Sequence, residues 1–195
     1  MKTTYALIGI GFLIVIGAFI FLSDTAVAPV VDEGSTMVSD MKLTSSAFEN
    51  GAVIPSKYTC DAENVSPPLS ISGVPENAKS LVLVMDDPDV PKELRPDGVF
   101  DHWIMYSIDP ATAEIPEGAG KGAEGLNGTG KTGYTGPCPP RDYEPSRHRY
   151  FFKLYALDST LNFIKVPTKA EVLTAIESST IAEAELMRRY KRVAP

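Results

Sequence analysis

The sequence predicts a mainly β protein, a β-sandwich with short helices at its C-terminal end, carried behind one N-terminal transmembrane helix. Three observations lead there. Three strand-length apolar runs are separated by long stretches rich in Gly and Pro. No helical period lies between those runs, which argues against a parallel α/β sheet. Helix-start signals gather only near the C-terminus.

The first run is Leu81-Val82-Leu83-Val84-Met85, apolar throughout and flanked by polar residues, as a buried strand requires. The second is residues 102–108, from His102-Trp103 to Ile108. The third, residues 149–157, is rich in aromatic side chains, which favour pleated surfaces. Toward the end, Thr168-Lys169-Ala170-Glu171 and Thr180-Ile181-Ala182-Glu183 each have capping-box spacing. They predict two short helices, at about 169–177 and 181–190, split at Ser178-Ser179. The first helix is expected to bury one face through Val172, Leu173 and Ile176.

Residues 5–22 form an unbroken apolar run, just long enough to cross a bilayer as a helix. Lys2 precedes it, and Asp24, Asp32 and Glu33 follow, so the positive-inside rule leaves the rest of the chain outside the cytoplasm. Residues 1–23 are expected to be an anchor. The alternative is a cleaved signal peptide, since Ala26-Val27-Ala28 has the small-x-small form of a cleavage site, although Pro29 follows it. Residues 24–40 read as a linker, and residues 41–195 as one domain. Both N-terminal readings place that domain outside the cytoplasm, in the cell membrane or periplasm.

The formal net charge is −7, and no block of Lys and Arg stands out, which argues against nucleic acid as a partner. Two cysteines without CxxC spacing do not make a zinc site, and only two histidines are available for imidazole chemistry. Residues 125–132 match G-x-x-x-x-G-K-[ST] to the letter. A phosphate loop needs a strand before it and a helix after it, and Gly and Pro break both flanks here.

The unusual residues sit where strands end. Asp86-Asp87-Pro88-Asp89-Val90-Pro91 comes directly after the first strand, Asp101-His102-Trp103 opens the second, and His148-Arg149-Tyr150 opens the third after Gly136-Pro137-Cys138-Pro139-Pro140. Strand ends are where a rigid sheet can present side chains to a pocket. Taken singly, an aspartate cluster is an ordinary turn and His-Arg-Tyr an ordinary strand edge. Taken in order they resemble the phosphatidylethanolamine-binding protein family, in its bacterial and archaeal Raf-kinase-inhibitor-like branch. The resemblance spans residues 41–195. It rests also on Ile54-Pro55-Ser56-Lys57-Tyr58-Thr59-Cys60-Asp61, Asn64-Val65-Ser66-Pro67-Pro68-Leu69, Gly133-Tyr134 and Leu154-Tyr155-Ala156-Leu157-Asp158.

This resemblance implies a two-sheet antiparallel β-sandwich with a small pocket for phosphate-like anions. Asp87, Asp89, His102, His148 and Tyr150 match the family's pocket residues, Gly136 and Pro139 lie on the loop that matches its wall, and Trp103 is expected in the core or the pocket wall. An aspartate beside an imidazole is expected to keep it cationic, so that anion affinity falls as pH rises. Outside the cytoplasm, Cys60 and Cys138 are expected to pair and pin the Pro-rich loop.

The implied function is a binding and regulatory module for an anionic ligand or phospholipid head group, without cofactor or metal. A protein partner, through protease inhibition or modulation of signalling, is the alternative. A metal-assisted hydrolase built on Asp87, Asp89, His102 and His148 is the reading the residue set favours least. Two departures from the family pattern stand out. Residues 141–147 lack the usual glycine before the histidine, and Arg141 and Arg147 are expected to add positive charge near the mouth; Ser178-Ser179 stands where relatives commonly have Gly-His.

Overall fold

The structure, a computed structural model, describes residues 40–48 and 52–192. In chain order the strands are β1 (Lys42–Thr44), β2 (Leu69–Ser72), β3 (Ser80–Asp87), β4 (Phe100–Ile108), β5 (Glu114–Ile115), β6 (Ala123–Glu124), β7 (Arg147–Leu157) and β8 (Thr180–Lys191). One helix, α1 (Lys169–Ile176), lies between β7 and β8, and a 3₁₀ turn spans Ser56–Tyr58. The strands form two antiparallel sheets, one ordered β1-β2-β5 and the other β6-β4-β3-β7-β8.

β3 is the middle strand of the larger sheet, and all eight of its residues are buried. The pleat sends alternate side chains to opposite faces. Leu81, Leu83 and Met85 join Leu43, Leu69, Ile71 and Ile115 of the small sheet in one core. Val82 and Val84 join Ile104, Leu157 and the α1 residues Val172 and Ile176 in a second. This two-sided burial is why the run 81–85 is apolar without alternation.

α1 starts where its capping box predicts. The Thr168 hydroxyl accepts from the Glu171 amide, and the Glu171 carboxylate accepts from the Thr168 amide at 2.8 Å.

The second expected helix, at 181–190, is instead the twelve-residue strand β8. Ala182, Leu186, Arg188 and Tyr190 are buried, while Glu183, Glu185, Arg189 and Lys191 are exposed, a period of two rather than 3.6. β8 pairs with β7 along nearly its whole length, from Arg147 opposite Lys191 to Leu157 opposite Thr180. Ala, Glu, Leu, Met and Arg are good helix formers, but here the β7 ladder and burial of one face outweigh propensity. The Thr180-x-x-Glu183 pattern is therefore the start of a strand and not a cap.

The expected anchor and nearly all of the expected linker lie outside the described residues. No helix among the described residues is long and apolar enough to cross a membrane.

Leu83 is fully buried between the sheets. Leu83→Ala is expected to cost about 3 kcal/mol through lost transfer energy and the cavity left behind. A urea midpoint that falls at unchanged slope checks it, and an unchanged midpoint would contradict the packing described.

Candidate functional site

Strand alternation divides the aspartate cluster among three jobs. Asp86 and Asp87 are neighbours on β3 and point to opposite faces. Asp86 Oδ2 meets Lys153 Nζ at 3.0 Å and Lys169 Nζ at 3.3 Å, and Lys169 also reaches Asp101. Asp87 turns inward. Its Oδ2 accepts from His148 Nδ1 at 2.6 Å with both side chains buried, and its Oδ1 accepts from the Asp89 amide at 2.8 Å. Asp89 lies in the turn beyond. It accepts the Arg149 amide at 2.8 Å and the Arg149 guanidinium at 2.9 and 2.6 Å. That guanidinium holds the Asp89 carboxyl below its ordinary value.

His102 reaches the inner face through a bulge. Met85 pairs with Trp103 and Asp86 with Asp101, so His102 is the extra residue between two paired positions. The bulge lets consecutive residues turn the same way. Trp103 enters the core between the sheets, and the His102 ring lies 5.2 Å from the Tyr150 ring, also on that face. His102 Nδ1 donates to the Thr135 carbonyl, while the Thr135 amide donates to the His102 carbonyl at 2.9 Å. Tyr150 stacks near His148 with centroids 6.4 Å apart.

These groups edge a cavity of about 340 Å³. Asp87, His102 and His148 line it together with Thr135, Gly136, Cys138, Pro139 and Pro140 of one loop, and with Val90, Leu94, Arg95 and Phe100 from the β3–β4 connection. Among the described residues, His102 Nε2, His148 Nε2 and the Tyr150 hydroxyl are buried without a hydrogen-bond partner. Native interiors rarely leave such groups unpaired. Both histidines spend Nδ1 on the protein and turn Nε2 elsewhere.

Burial pushes the His102 imidazole below its ordinary value, against the opposing pull of the Thr135 carbonyl and of Asp87. Burial first, and Asp87 next, push the Tyr150 phenol far up, so it stays a donor.

The loop carrying Gly136 is clamped. The disulfide Cys60–Cys138, with Cα atoms 5.4 Å apart, ties it to the 56–64 segment as expected. The Cys60 amide donates to the Pro137 carbonyl at 3.1 Å, the Gly136 amide to Asn64 Oδ1 at 2.8 Å, and the Tyr134 hydroxyl to the Tyr58 carbonyl at 2.6 Å. A Cβ on Gly136 would stand 2.5 Å from both Asn64 Oδ1 and the Tyr58 carbonyl, so only glycine fits this approach.

Of the residues singled out from sequence, the structure brings together Asp87, His102, Gly136, Pro139 and His148 at the cavity, with Tyr150 between the two imidazoles. Asp89 and Trp103 are not among the residues lining it. Asp89 is occupied with Arg149. The Trp103 indole donates to Glu124 Oε1 at 3.3 Å and packs edge-on to Tyr134, on a separate hollow. The expectation that aspartates keep the imidazoles cationic fails for His102, where burial outweighs them.

Sequence reasoning missed Arg95, which lines the cavity with its guanidinium 5.1 Å from the Phe100 ring. Its signal was a lone arginine in a Pro-bounded segment with no readable period. Asp87 is engaged by His148 and Asp89 by Arg149, and no group of three His, Cys, Asp or Glu among the described residues is arranged to hold a metal.

A two-sheet antiparallel protein with a small polar-edged cavity where three strands end is the class these features define. The family model described as phosphatidylethanolamine-binding protein matches residues 44–191. A UPF0098 protein of Chlamydia trachomatis is 48% identical over 153 residues, covering 78% of this chain and 99% of that protein. One from Methanothermobacter thermautotrophicus is 44% identical over 159 residues, with coverage of 78% and 99%. The crystal structure of CT736, a phosphatidylethanolamine-binding protein homologue from Chlamydia trachomatis, superposes with a TM-score of 0.74 at 46% identity, covering 80% of this chain and 99% of that one. Escherichia coli YbcL, described as a new member of the mammalian family, gives 0.69 at 27% identity, with coverage of 78% and 99%. The chain belongs to the phosphatidylethanolamine-binding protein family, in its bacterial and archaeal branch. Membership supports a binding or regulatory role.

Two measurements test the clamp and the buried imidazole. The disulfide closes a sequence separation of 78 residues, so Cys60→Ser with Cys138→Ser is expected to cost about 4 kcal/mol of stability by chain-entropy reasoning. Chemical denaturation reads it, and a loss below about 1 kcal/mol would contradict the clamp. His102 holds its proton less tightly when folded than at its ordinary 6.5. As pH falls through 6.5 the unfolded chain protonates first, so stability is lost below that pH and unaffected above it. The wild type is expected to lose more stability between pH 7 and 5 than His102→Gln. Parallel pH profiles would refute the burial effect.

Proposed function

We propose that this chain is a binding and regulatory protein rather than an enzyme, and that its cavity takes a phosphate-type anion such as a phosphorylated head group, outside the cytoplasm. The observation that carries the reading is the set of three buried, unpartnered polar atoms, His102 Nε2, His148 Nε2 and the Tyr150 hydroxyl, two of them on residues lining the cavity.

Their chemistry suits a protonated oxyanion. The Tyr150 hydroxyl donates. His148 donates from Nε2 when doubly protonated, its charge answered by Asp87 on the far side of the ring. Neutral His102 accepts at Nε2, which fits a P–OH group or an ammonium, and becomes a donor on taking up a proton. Arg95 adds positive charge among the lining residues. Asp87 is the carboxylate that would repel an anion, and its two oxygens are already engaged by His148 and the Asp89 amide. The disulfide and the apolar run at residues 5–22 both support an extracytoplasmic location, where oxidising conditions preserve such a bond.

Calorimetric titration of the full-length chain with sulfate tests this, because sulfate does not titrate across the working range. An anion in the cavity favours protonated imidazole, so affinity is expected to rise as pH falls from 8 to 5.5. His148→Ala is expected to weaken binding at least about tenfold. Affinity that ignores both pH and the substitution would reject the cavity as the anion site. Phosphoethanolamine and inorganic phosphate, run beside sulfate, rank the ligand class.

A further inference from the structure

A second, smaller hollow of about 270 Å³ lies against the first, and both are lined by Pro139 and Pro140. Its remaining lining is Arg141, Lys191 and Arg192, with Ser146 and Glu144. Three cations and one carboxylate line it, with Asp61 as a second carboxylate behind them, in a chain whose formal net charge is −7.

The arrangement is built rather than incidental. Arg192 is held from behind by Asp61, with Nε and Nη2 each 2.9 Å from Oδ1. Asp61 is itself fixed by the Tyr190 hydroxyl at 2.6 Å and comes directly after the disulfide cysteine Cys60. Arg141 Nη2 lies 3.8 Å from the same Oδ1, so one carboxylate faces two guanidinium groups. Glu144 is turned to the Ser146 amide, 2.8 Å away.

The sheet beside this hollow carries the same bias. Arg147 stands opposite Lys191, and Arg149 opposite Arg189, across the β7–β8 ladder. All four are exposed. Like charges directly opposite weaken a strand pair. Arg149 has Asp89 as a counter-charge, whereas Lys191, which lines the hollow, has Arg147 opposite it. An anion bound at the hollow would relieve this repulsion.

We infer that the ligand carries two anionic groups, one in the histidine cavity and a second that passes over Pro139–Pro140 to the Arg141, Lys191 and Arg192 shelf. This rests on the cavity reading above and narrows it, from any phosphate-type anion to a bis-anionic one. A zwitterionic head group would place its ammonium toward the wrong charge.

The test compares methylphosphonate, with one anionic group, against α,ω-alkane bisphosphonates from ethane to hexane. Titration is by calorimetry on the full-length chain at fixed ionic strength. At the best chain length, wild type is expected to bind the bisphosphonate about tenfold more tightly than methylphosphonate, well beyond the twofold statistical advantage of two equivalent ends. Arg141→Gln with Lys191→Gln, both at exposed positions, is expected to erase that gain, read as the ratio of bisphosphonate to methylphosphonate affinity in the same variant. Lys191→Arg should retain it. Methylphosphonate binding without a bisphosphonate gain at any length, or a gain that survives the double substitution, overturns the shelf and leaves the cavity reading standing. If neither compound binds, both readings fall.

Discussion

β3 has no face exposed to water. Its odd-numbered apolar side chains enter the core between the sheets and its even-numbered ones meet α1. A strand held this way must end in a defined place and rotation. The residues beyond Met85 are therefore positioned by packing rather than by their own preferences. Asp87 inherits the inward direction of Leu83 and Met85, and β7 brings His148 to meet it from the adjacent strand. The carboxylate–imidazole contact is thus a consequence of register. It also fixes the tautomer of His148, because Nδ1 must carry the proton that Asp87 accepts.

The second imidazole arrives by the opposite device. Regular pleating would have sent His102 toward the α1 side, the face that Asp101 and Ile104 share with their partners Asp86 and Val84. The bulge gives up one ladder position to turn it inward. The two histidines consequently differ in electrostatic setting although they border the same space. His148 has a carboxylate at hydrogen-bond distance, while the Nδ1 partner of His102 is a neutral carbonyl and burial lowers its affinity for a proton. A site with one imidazole backed by a carboxylate and another kept neutral can both donate to and accept from a ligand of variable protonation.

How much of this is legible in the sequence depends on which interactions are local. β3, β4 and β7 are readable because their own side chains carry the burial pattern. β8 is not, since Ala-Glu-Ala-Glu-Leu-Met-Arg-Arg satisfies helix propensity and shows its period of two only when alternation is given precedence. Asp87 and Asp89 look alike in sequence and differ in fate because one ends a strand and the other sits in a turn opposite Arg149. Trp103 adjoins His102 in sequence, but a bulge makes adjacency a poor guide to what a side chain touches. Arg95 depends on a connection without period, so nothing local marks it. The disulfide pairing is accessible through family resemblance and the expected compartment, whereas the hydrogen bonds that complete the clamp come from residues distant in sequence.

The loop at 125–132 shows why a phosphate motif needs more than letters. A phosphate loop works by presenting unused amide N–H groups to the anion. Here the Asn127 amide donates to the Lys131 carbonyl, the Gly128 amide to Asp101 and the Gly130 amide to Asn127. The Thr129 amide is taken by Asn127 Oδ1 at 2.9 Å. Asn127 Nδ2 spends its own protons on Gly133 and Thr135, bracing the segment that bonds His102. A Cβ on Gly128 would strike the Phe100 ring at 2.8 Å, so this glycine serves contact with the cavity's own wall. The amides of residues 125–131 are thus all engaged by the protein, and the segment acts as scaffold. Unpaired buried polar atoms lie instead on His102 and His148 at the cavity and on Tyr150 beside them, so the anion recognition proposed above would use side chains on strands rather than a glycine-rich backbone.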